Sequence, residues 1–465
     1  MNATVAIALD LGTTSIKAGL LGQNGKLGNI VSLASPKIIV DGGRYESNAL
    51  AYAEISRQAL QECMEQASGC RTLGLCSQRS SFLIWERASG QPITPLISWQ
   101  DNRGISSCVE MRMHENLILE RSGLPLTPYY FAPKLRVVLR DNPELKKLLL
   151  QGKLLVGMLD TFLIWHWTGG RHFVTDASMA ARTLLMDTGK KQWSPVLCEL
   201  FSIPAQILPQ IISSARISLQ LETGLLLQAS VGDQSAALLA GIAEDSGEAM
   251  VNLGTGCFVV RYLPPDKTAS KGYLRTLVYQ DGGQQAHFAV EGTLNSIAAA
   301  LAPYPVSECV FDDFARDDVF CVAEPSGLGA PYFRSDIGLC FSEPILHLSQ
   351  KRVAVLLLEA IVFRVARILE DFHRDSPLSR VYLSGGLSEL TCLQQGIALC
   401  APFEVYNLSQ GESSLQGAAM LAAGMAPACG RRAARVSVAD NTRYLPEKYR
   451  RWKEWLDRLC LNASE

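Results

Sequence analysis

The pattern that most restricts this chain is a strand, a Gly-Thr turn and a returning strand, written twice about half the chain apart. Near the N-terminus "ALDLGTTSIKAGLL" runs apolar to Asp10, turns at Gly12-Thr13-Thr14-Ser15, and resumes as a second apolar run. "VNLGTGCFVV", residues 251–260, repeats the outline: Leu11-Gly12-Thr13 is answered by Leu253-Gly254-Thr255, and Asp10 by Asn252. One such hairpin is an ordinary tight turn. Two of them, in a chain of 465 residues, predict two similar halves facing each other, each with its own core.

Between and beyond the hairpins, runs of Val, Ile and Leu alternate with longer segments of helical period, which predicts an α/β protein. Strands are expected at 5–9, 16–21, 73–76, 249–253, 258–262 and 381–384. Helices are expected at 49–65, 106–120, 143–151, 161–167, 234–243, 351–374 and 414–423. Pro264-Pro265 and the basic, alanine-rich run Arg431–Arg435 are the expected linkers.

Composition narrows the class. A net charge of −2 gives no electrostatic case for nucleic acid or an anionic membrane as partner. The first residues have no basic n-region, and Asp10 interrupts their apolar run, so no signal peptide is expected. The longest apolar stretches, such as 353–363, fall short of the ~20 residues that span a bilayer. Thirteen scattered cysteines, with no CxxC pair, predict a reducing cytoplasm and no structural metal site. The histidines stand alone and suggest core or surface roles.

The chemistry concentrates in the turns. The N-terminal turn lacks the lysine-bearing glycine loop of many nucleotide enzymes. Paired Gly-Thr turns suit a polyphosphate, because glycine admits the phosphate to the backbone while N–H groups and hydroxyls donate to its oxygens. An aspartate beside them suits Mg²⁺, which favours carboxylate, water and phosphate oxygen. Asp10 is thus the metal candidate. Thr13, Thr14 and Ser15 are candidates for one phosphate, and Gly254 and Thr255 for another. Lys17 either reaches the phosphates from the returning strand or is an exposed strand lysine.

Nine collinear motifs then resemble the FGGY carbohydrate kinases over most of the chain. Besides the two turns they include "LGLCSQRSSFLIWERASGQPITPLISWQDNR", "GMLDTFLIWHWTGG", "TDASMAARTLLMD", "VGDQSAALLAG", "GLGAPYF", "YLSGGLSEL" and "GESSLQGAAMLAAG". The resemblance implies an α/β fold of two ribonuclease-H-like domains around a cleft, with ATP on one side and a small sugar or polyol on the other. It places an N-terminal kinase domain at 1–240, a C-terminal one at 241–435, and a helical tail at 436–465. It also implies that Asp233 is the catalytic base, a role a carboxylate suits because the acceptor hydroxyl must lose its proton to attack the γ-phosphate. Gly-Asp before an apolar run is also a helix-cap signature, and the two roles are compatible.

By the same resemblance, Gln78, Arg79, Ser80, Trp99, Asp101, Tyr129, Gln234 and Phe258 face the substrate. Gly385 and Gly386 lie against the adenosine. Dimers or tetramers occur in such families.

The loops are most similar to the glycerol-kinase branch, yet that branch carries a glutamate where this chain has Ser80. Losing a carboxylate that accepts two hydroxyls alters substrate choice. Ala298, Ala302 and Leu390 fall where the family has nucleotide contacts. The expectation is therefore an ATP- and Mg²⁺-dependent kinase of a small polyol or sugar. A silent homologue, or a nucleotide switch like actin, is the alternative.

Overall fold

The computed structural model describes residues 3–67, 69–244, 246–264, 267–314, 317–409, 411–438 and 444–462. Its packing forms two units. The first comprises 1–240, 276–288 and 412–430, and the second 241–275, 289–411 and 431–465. A single cut after residue 240 therefore does not describe the packing.

In the first unit a six-stranded sheet has the order 215–220, 226–232, 72–77, 4–11, 15–22, 27–34. Strand Thr4–Leu11 pairs antiparallel with Ser15–Gly22 and parallel with Thr72–Ser77. Its residues alternate between two buried faces, as the twofold period of a strand requires. Ile7, Leu9 and Leu11 pack with Tyr52, Ala59 and Leu60 of helix Ala49–Met64. Ala6 and Ala8 pack on the other face with Leu415 and Ala419 of helix Ser413–Ala423.

Small residues on that second face let the helix approach closely. A Cβ at Gly74 would lie 2.2 Å from the carbonyl oxygen of Ala418, and one at Gly417 only 1.8 Å from that of Ala236. Helix 413–423 therefore bridges the first sheet and helix Asp233–Gly241, which is why a segment so late in the chain belongs to the first unit.

A second layer of this unit holds a five-stranded sheet in the order 39–41, 44–47, 96–97, 82–86, 154–158. Phe82, Ile84 and Val156 of that sheet pack with Phe131, Leu135 and Val138 of helix Phe131–Asp141.

The second unit repeats the central motif. Strand Glu248–Leu253 pairs antiparallel with Cys257–Leu263 and parallel with Arg380–Ser384. The latter pairs parallel with Glu404–Leu408, within a seven-stranded sheet. The core forms around helix Gln350–Asp375, whose buried Leu357, Ile361, Val365 and Ile368 lie at helical spacing.

All six expected strands and the expected helix regions are present. The region 106–120, however, divides into helix Ile105–Met111, a 3₁₀ turn and helix Glu115–Ser122. Arg431–Arg435 is not a linker. Ala433–Arg435 is an edge strand on Glu404–Leu408, and the Arg431 guanidinium donates to both oxygens of buried Glu248 at 2.7 and 3.0 Å. Of the other expected linker, Pro265 lies outside the described residues. The final segment carries helix Tyr444–Asn462.

Candidate active site

In the first unit the chemistry gathers at the ends of three adjacent strands. Asp10 sits one residue before the end of its strand, in register with Lys17 on one side and Cys76 on the other. Gly12 makes the turn: its N–H donates to the Ser15 carbonyl at 3.1 Å, and a Cβ there would lie 2.6 Å from that oxygen. Thr14 at the apex is exposed.

The third strand, Leu226–Gly232, delivers Asp233 at the head of its helix. Asp233 Oδ1 lies 3.4 Å from Arg79 Nε, and its side chain keeps 28% exposure. Gly232 makes that pairing possible, since a Cβ would lie 2.9 Å from the Arg79 Cδ.

Burial raises the Asp233 pKa, while Arg79, the Gln234 N–H and Arg182 pull it down. Burial and then the charge of Asp233 push Asp10 up to about 7, with the Cys76 thiol and Lys17 opposing. Asp10 Oδ1 is buried with no hydrogen-bond partner among the described residues. An orphaned carboxylate oxygen beside a phosphate-type turn fits a hard divalent cation such as Mg²⁺. Among the described residues no group of three or more His, Cys, Asp or Glu could hold a metal alone. A cation at Asp10 would complete its shell with water and phosphate oxygen.

The loops that hold Gln78 and Trp99 join this turn directly. Trp99 Nε1 donates to Thr13 Oγ1 at 3.0 Å, and Thr13 lies 3.4 Å from Gln78 Oε1. Gln78 Nε2 also donates to Tyr52 Oη at 3.1 Å. Asp10, Thr13, Gln78, Arg79, Trp99, Asp233 and Gln234 thus share one neighbourhood of the first unit.

Ser80 is buried, with a left-handed φ of +64°, and its hydroxyl donates to the Arg182 carbonyl at 3.1 Å. Asp101 is wholly buried. Its four acceptor sites take Tyr45 N–H, Arg103 N–H and two guanidinium N–H groups at 2.7–3.0 Å, so the loop itself uses its capacity. Tyr129 stands half-exposed just before helix 131–141. Lys17 Nζ is 2.6 Å from Glu412, at the start of helix 413–423.

The remaining candidates belong to the second unit. The Gly254 N–H bonds the Gly256 carbonyl at 2.9 Å, closing the second turn, and Thr255 O accepts from Ala298 N–H at 3.1 Å. Phe258 is half-buried on the returning strand. Gly385, with φ +89°, brings its backbone against this turn: a Cβ there would lie 2.5 Å from Leu253 O. Gly386 has open space around it. Ser384 Oγ and Asn407 Oδ1, near the carboxyl ends of neighbouring parallel strands, are buried and unpartnered. A pocket of about 620 Å³ opens beside Asn407, lined also by Glu389, Ser409 and Arg432. Carboxyl ends of parallel strands are where open α/β sheets hold ligands.

Sequence reading missed Glu412, Arg182, Lys134 and Asn407. Only Lys134 had a local signal, as a lysine among the apolar positions of "YYFAPKLRVVL".

The N-terminal domain model of the FGGY family of carbohydrate kinases matches residues 5–251, and its C-terminal domain model matches 249–426. A glycerol kinase of Alkalilimnicola ehrlichii is 31% identical over 442 residues, covering 90% of this chain and 89% of the relative. Among solved structures, Plasmodium falciparum glycerol kinase with ADP aligns with a TM-score of 0.82 at 22% identity, covering 98% of this chain and 99% of that one. A xyloylose kinase from Brucella ovis aligns at 0.83 and 19%, covering 99% of both chains. At those identities the structures show the fold, that of two-domain sugar kinases.

Fold and sequence together define a kinase, a transferase of phosphoryl groups. The chain belongs to the FGGY family of carbohydrate kinases.

Proposed function

We propose that this kinase transfers the γ-phosphoryl group of ATP to a hydroxyl of a small polyol or sugar, with Asp233 as general base. The observation that carries this reading is Asp233 at the head of its helix, 3.4 Å from Arg79 and close enough to Asp10 to raise its pKa. A raised carboxylate is a better base near neutral pH and accepts the acceptor proton as the O–P bond forms. Arg79 orients that carboxylate, and Trp99 offers an apolar face to sugar C–H groups.

Asp10 would hold Mg²⁺, which when bound neutralises charge on the β- and γ-phosphate oxygens. Thr13, Thr14 and Ser15 donate to one phosphate, and Lys17 must leave Glu412 to add its charge. In the second unit Gly254, Thr255, Gly385 and Gly386 form the nucleotide-binding set. Gln78, Ser80, Tyr129, Gln234 and Phe258 contribute to acceptor recognition, with Asp101 acting through Arg103 and its loop. The domain bounds 1–240 and 241–435, with a tail at 436–465, divide these roles.

The glycerol and xylulose kinases among its likenesses favour a polyol or ketose acceptor, with Ser80 setting the choice. No helix among the described residues is long and apolar enough to cross a membrane, and the thirteen cysteines are free, which suits a cytoplasmic enzyme.

The test is ADP release with glycerol, erythritol, xylulose, ribulose and gluconate. Acceptor-stimulated turnover that Asp233→Asn abolishes is the expected result. ATP binding without stimulation by any of them would instead support a nucleotide-binding homologue.

A further inference from the structure

Lys134 is fully buried in the first unit, on the first turn of helix 131–141. Among the described residues its amine has no carboxylate partner. Nζ donates instead to two backbone carbonyls, of Ser80 at 2.9 Å and of Ser98 at 2.8 Å. Those carbonyls belong to the two loops with the acceptor-side candidates, one holding Gln78, Arg79 and Ser80, the other Trp99 and Asp101. The Phe82 ring, 5.9 Å from Nζ, closes the same space, and Asp101 and Arg103 are the charges that act on the amine.

Packing alone does not account for a lysine here. Leucine or methionine would fill a wholly buried helix position without the cost of desolvating an amine. Burial pushes the amine down to about 7. The neutral amine keeps two N–H donors, and two carbonyls receive them, so the tie holds in either protonation state.

Ser80 shows what the tie restrains. Its φ of +64° is uncommon for a non-glycine residue, and both ends of the residue are held: the carbonyl by Lys134, the hydroxyl by the Arg182 carbonyl. A second, shorter tie runs parallel. Ser81 Oγ donates to Gln78 Oε1 at 2.8 Å and accepts Trp99 N–H at 2.9 Å. Gly104, after the second loop, admits the head of helix 131–141, where a Cβ would lie 2.9 Å from Pro128 O and 3.3 Å from Lys134 N.

We propose that Lys134 is the positioning residue of the acceptor side, tying loop 78–81 to loop 98–101 so that Arg79 and Trp99 keep a fixed separation for a small hydroxylated substrate. This rests on the kinase reading above. Lys134 touches no reacting atom; it acts through the two loops.

The test compares Lys134→Met, which keeps the volume and removes the donors, with Ser81→Ala, which cuts the parallel tie with little risk to folding. Amide hydrogen exchange on the full chain with ADP present needs no turnover. Exchange is expected to rise at least tenfold in both 78–82 and 98–102 in each variant, while helix 131–141 stays as protected as in the wild type. Exchange that rises along the helix, or in neither loop, would overturn the proposal.

With the best acceptor of the panel, KM for that acceptor should rise at least tenfold and KM for ATP stay unchanged. Parallel rises in both would mark a merely structural lysine. If Lys134→Met does not fold, Lys134→Gln, which keeps a polar side chain but cannot hold both carbonyls as the amine does, decides by the same readings. A wild type that phosphorylates none of the panel defeats the kinase reading, while the exchange result still decides this one.

Discussion

Lys17 Nζ lies 2.6 Å from Glu412 Oε2, joining the returning strand of the first hairpin to a helix that begins almost four hundred residues later. Both side chains are mostly covered, at 24% and 32% exposure, so the pair is neither a solvated surface contact nor a fully desolvated one. It leaves Lys17 neutralised where a phosphate would want its charge.

Glu412→Gln should therefore free Lys17 and remove a negative charge from the neighbourhood of Asp10. ADP binding is expected to tighten about threefold to tenfold at low salt and to lose that gain at high salt, as screened Coulomb interactions do. Calorimetric titration at two ionic strengths checks this. Unchanged affinity at both would remove Lys17 from the phosphate site.

Asp10 carries the pH dependence. Its folded pKa, about 7, lies above the ordinary 3.8, so between those values the folded state binds more protons than the unfolded one. Stability from this group then falls as pH rises from about 4 to about 7, and the penalty is complete above that. Asp10→Asn removes it, and the variant should melt higher than wild type at pH 8 by up to roughly a few kcal/mol equivalent, but not at pH 4.5. Asp160 and Asp176, also raised by burial, titrate in the same direction in both proteins and cancel in the comparison. The same substitution should abolish Mg²⁺-dependent ATP binding. Equal melting shifts at both pH values would contradict the burial of Asp10 and its unpartnered Oδ1.

Asp101 makes a contrasting prediction. With four hydrogen bonds and no exposure, its removal leaves Arg103 short of a partner in a partly buried loop. Asp101→Ala is expected to cost on the order of 3–5 kcal/mol in urea unfolding. Its activity loss should track that instability, whereas Asp233→Asn should lose turnover with little change in stability. A fully stable, inactive Asp101→Ala protein would return Asp101 to direct acceptor binding.

These residues also show what a sequence discloses. The two hairpins were legible because strand period, turn glycine and terminal Asp or Asn all lie within a dozen residues. The place of Asp233 at the head of a helix was legible through its local "GDQSAAL" context. Glu412, Arg182 and Lys134 were not, because each acquires meaning only from partners 36 to 395 positions away. Arg431 was misread for the same reason. A basic, alanine-rich run resembles a linker until Glu248 and the Tyr382 ring, 3.9 Å from its guanidinium, are placed beside it. Helix 413–423 could be located but not assigned to a unit, since its place depends on backbone-to-backbone fit at Gly74 and Gly417.

The glycine pair at 385–386 separates binding from folding. Gly385 sits at φ +89°, and a Cβ there would lie 2.5 Å from Leu253 O, so any side chain strains the second turn itself. Gly386 does not: a Cβ at that position meets nothing within 4 Å. Gly386→Ala should leave stability within about 0.5 kcal/mol of wild type, as open surface positions do. If the adenosine lies against this glycine, the added methyl fills space the nucleoside needs, and ADP affinity should fall about tenfold. Gly386→Val should deepen the loss, again without lowering the melting temperature. Melting curves without nucleotide, paired with ADP titrations, give both quantities on one preparation. Full ADP affinity in the valine variant would place the adenosine away from Gly386, and attention would pass to the pocket lined by Glu389, Asn407, Ser409 and Arg432.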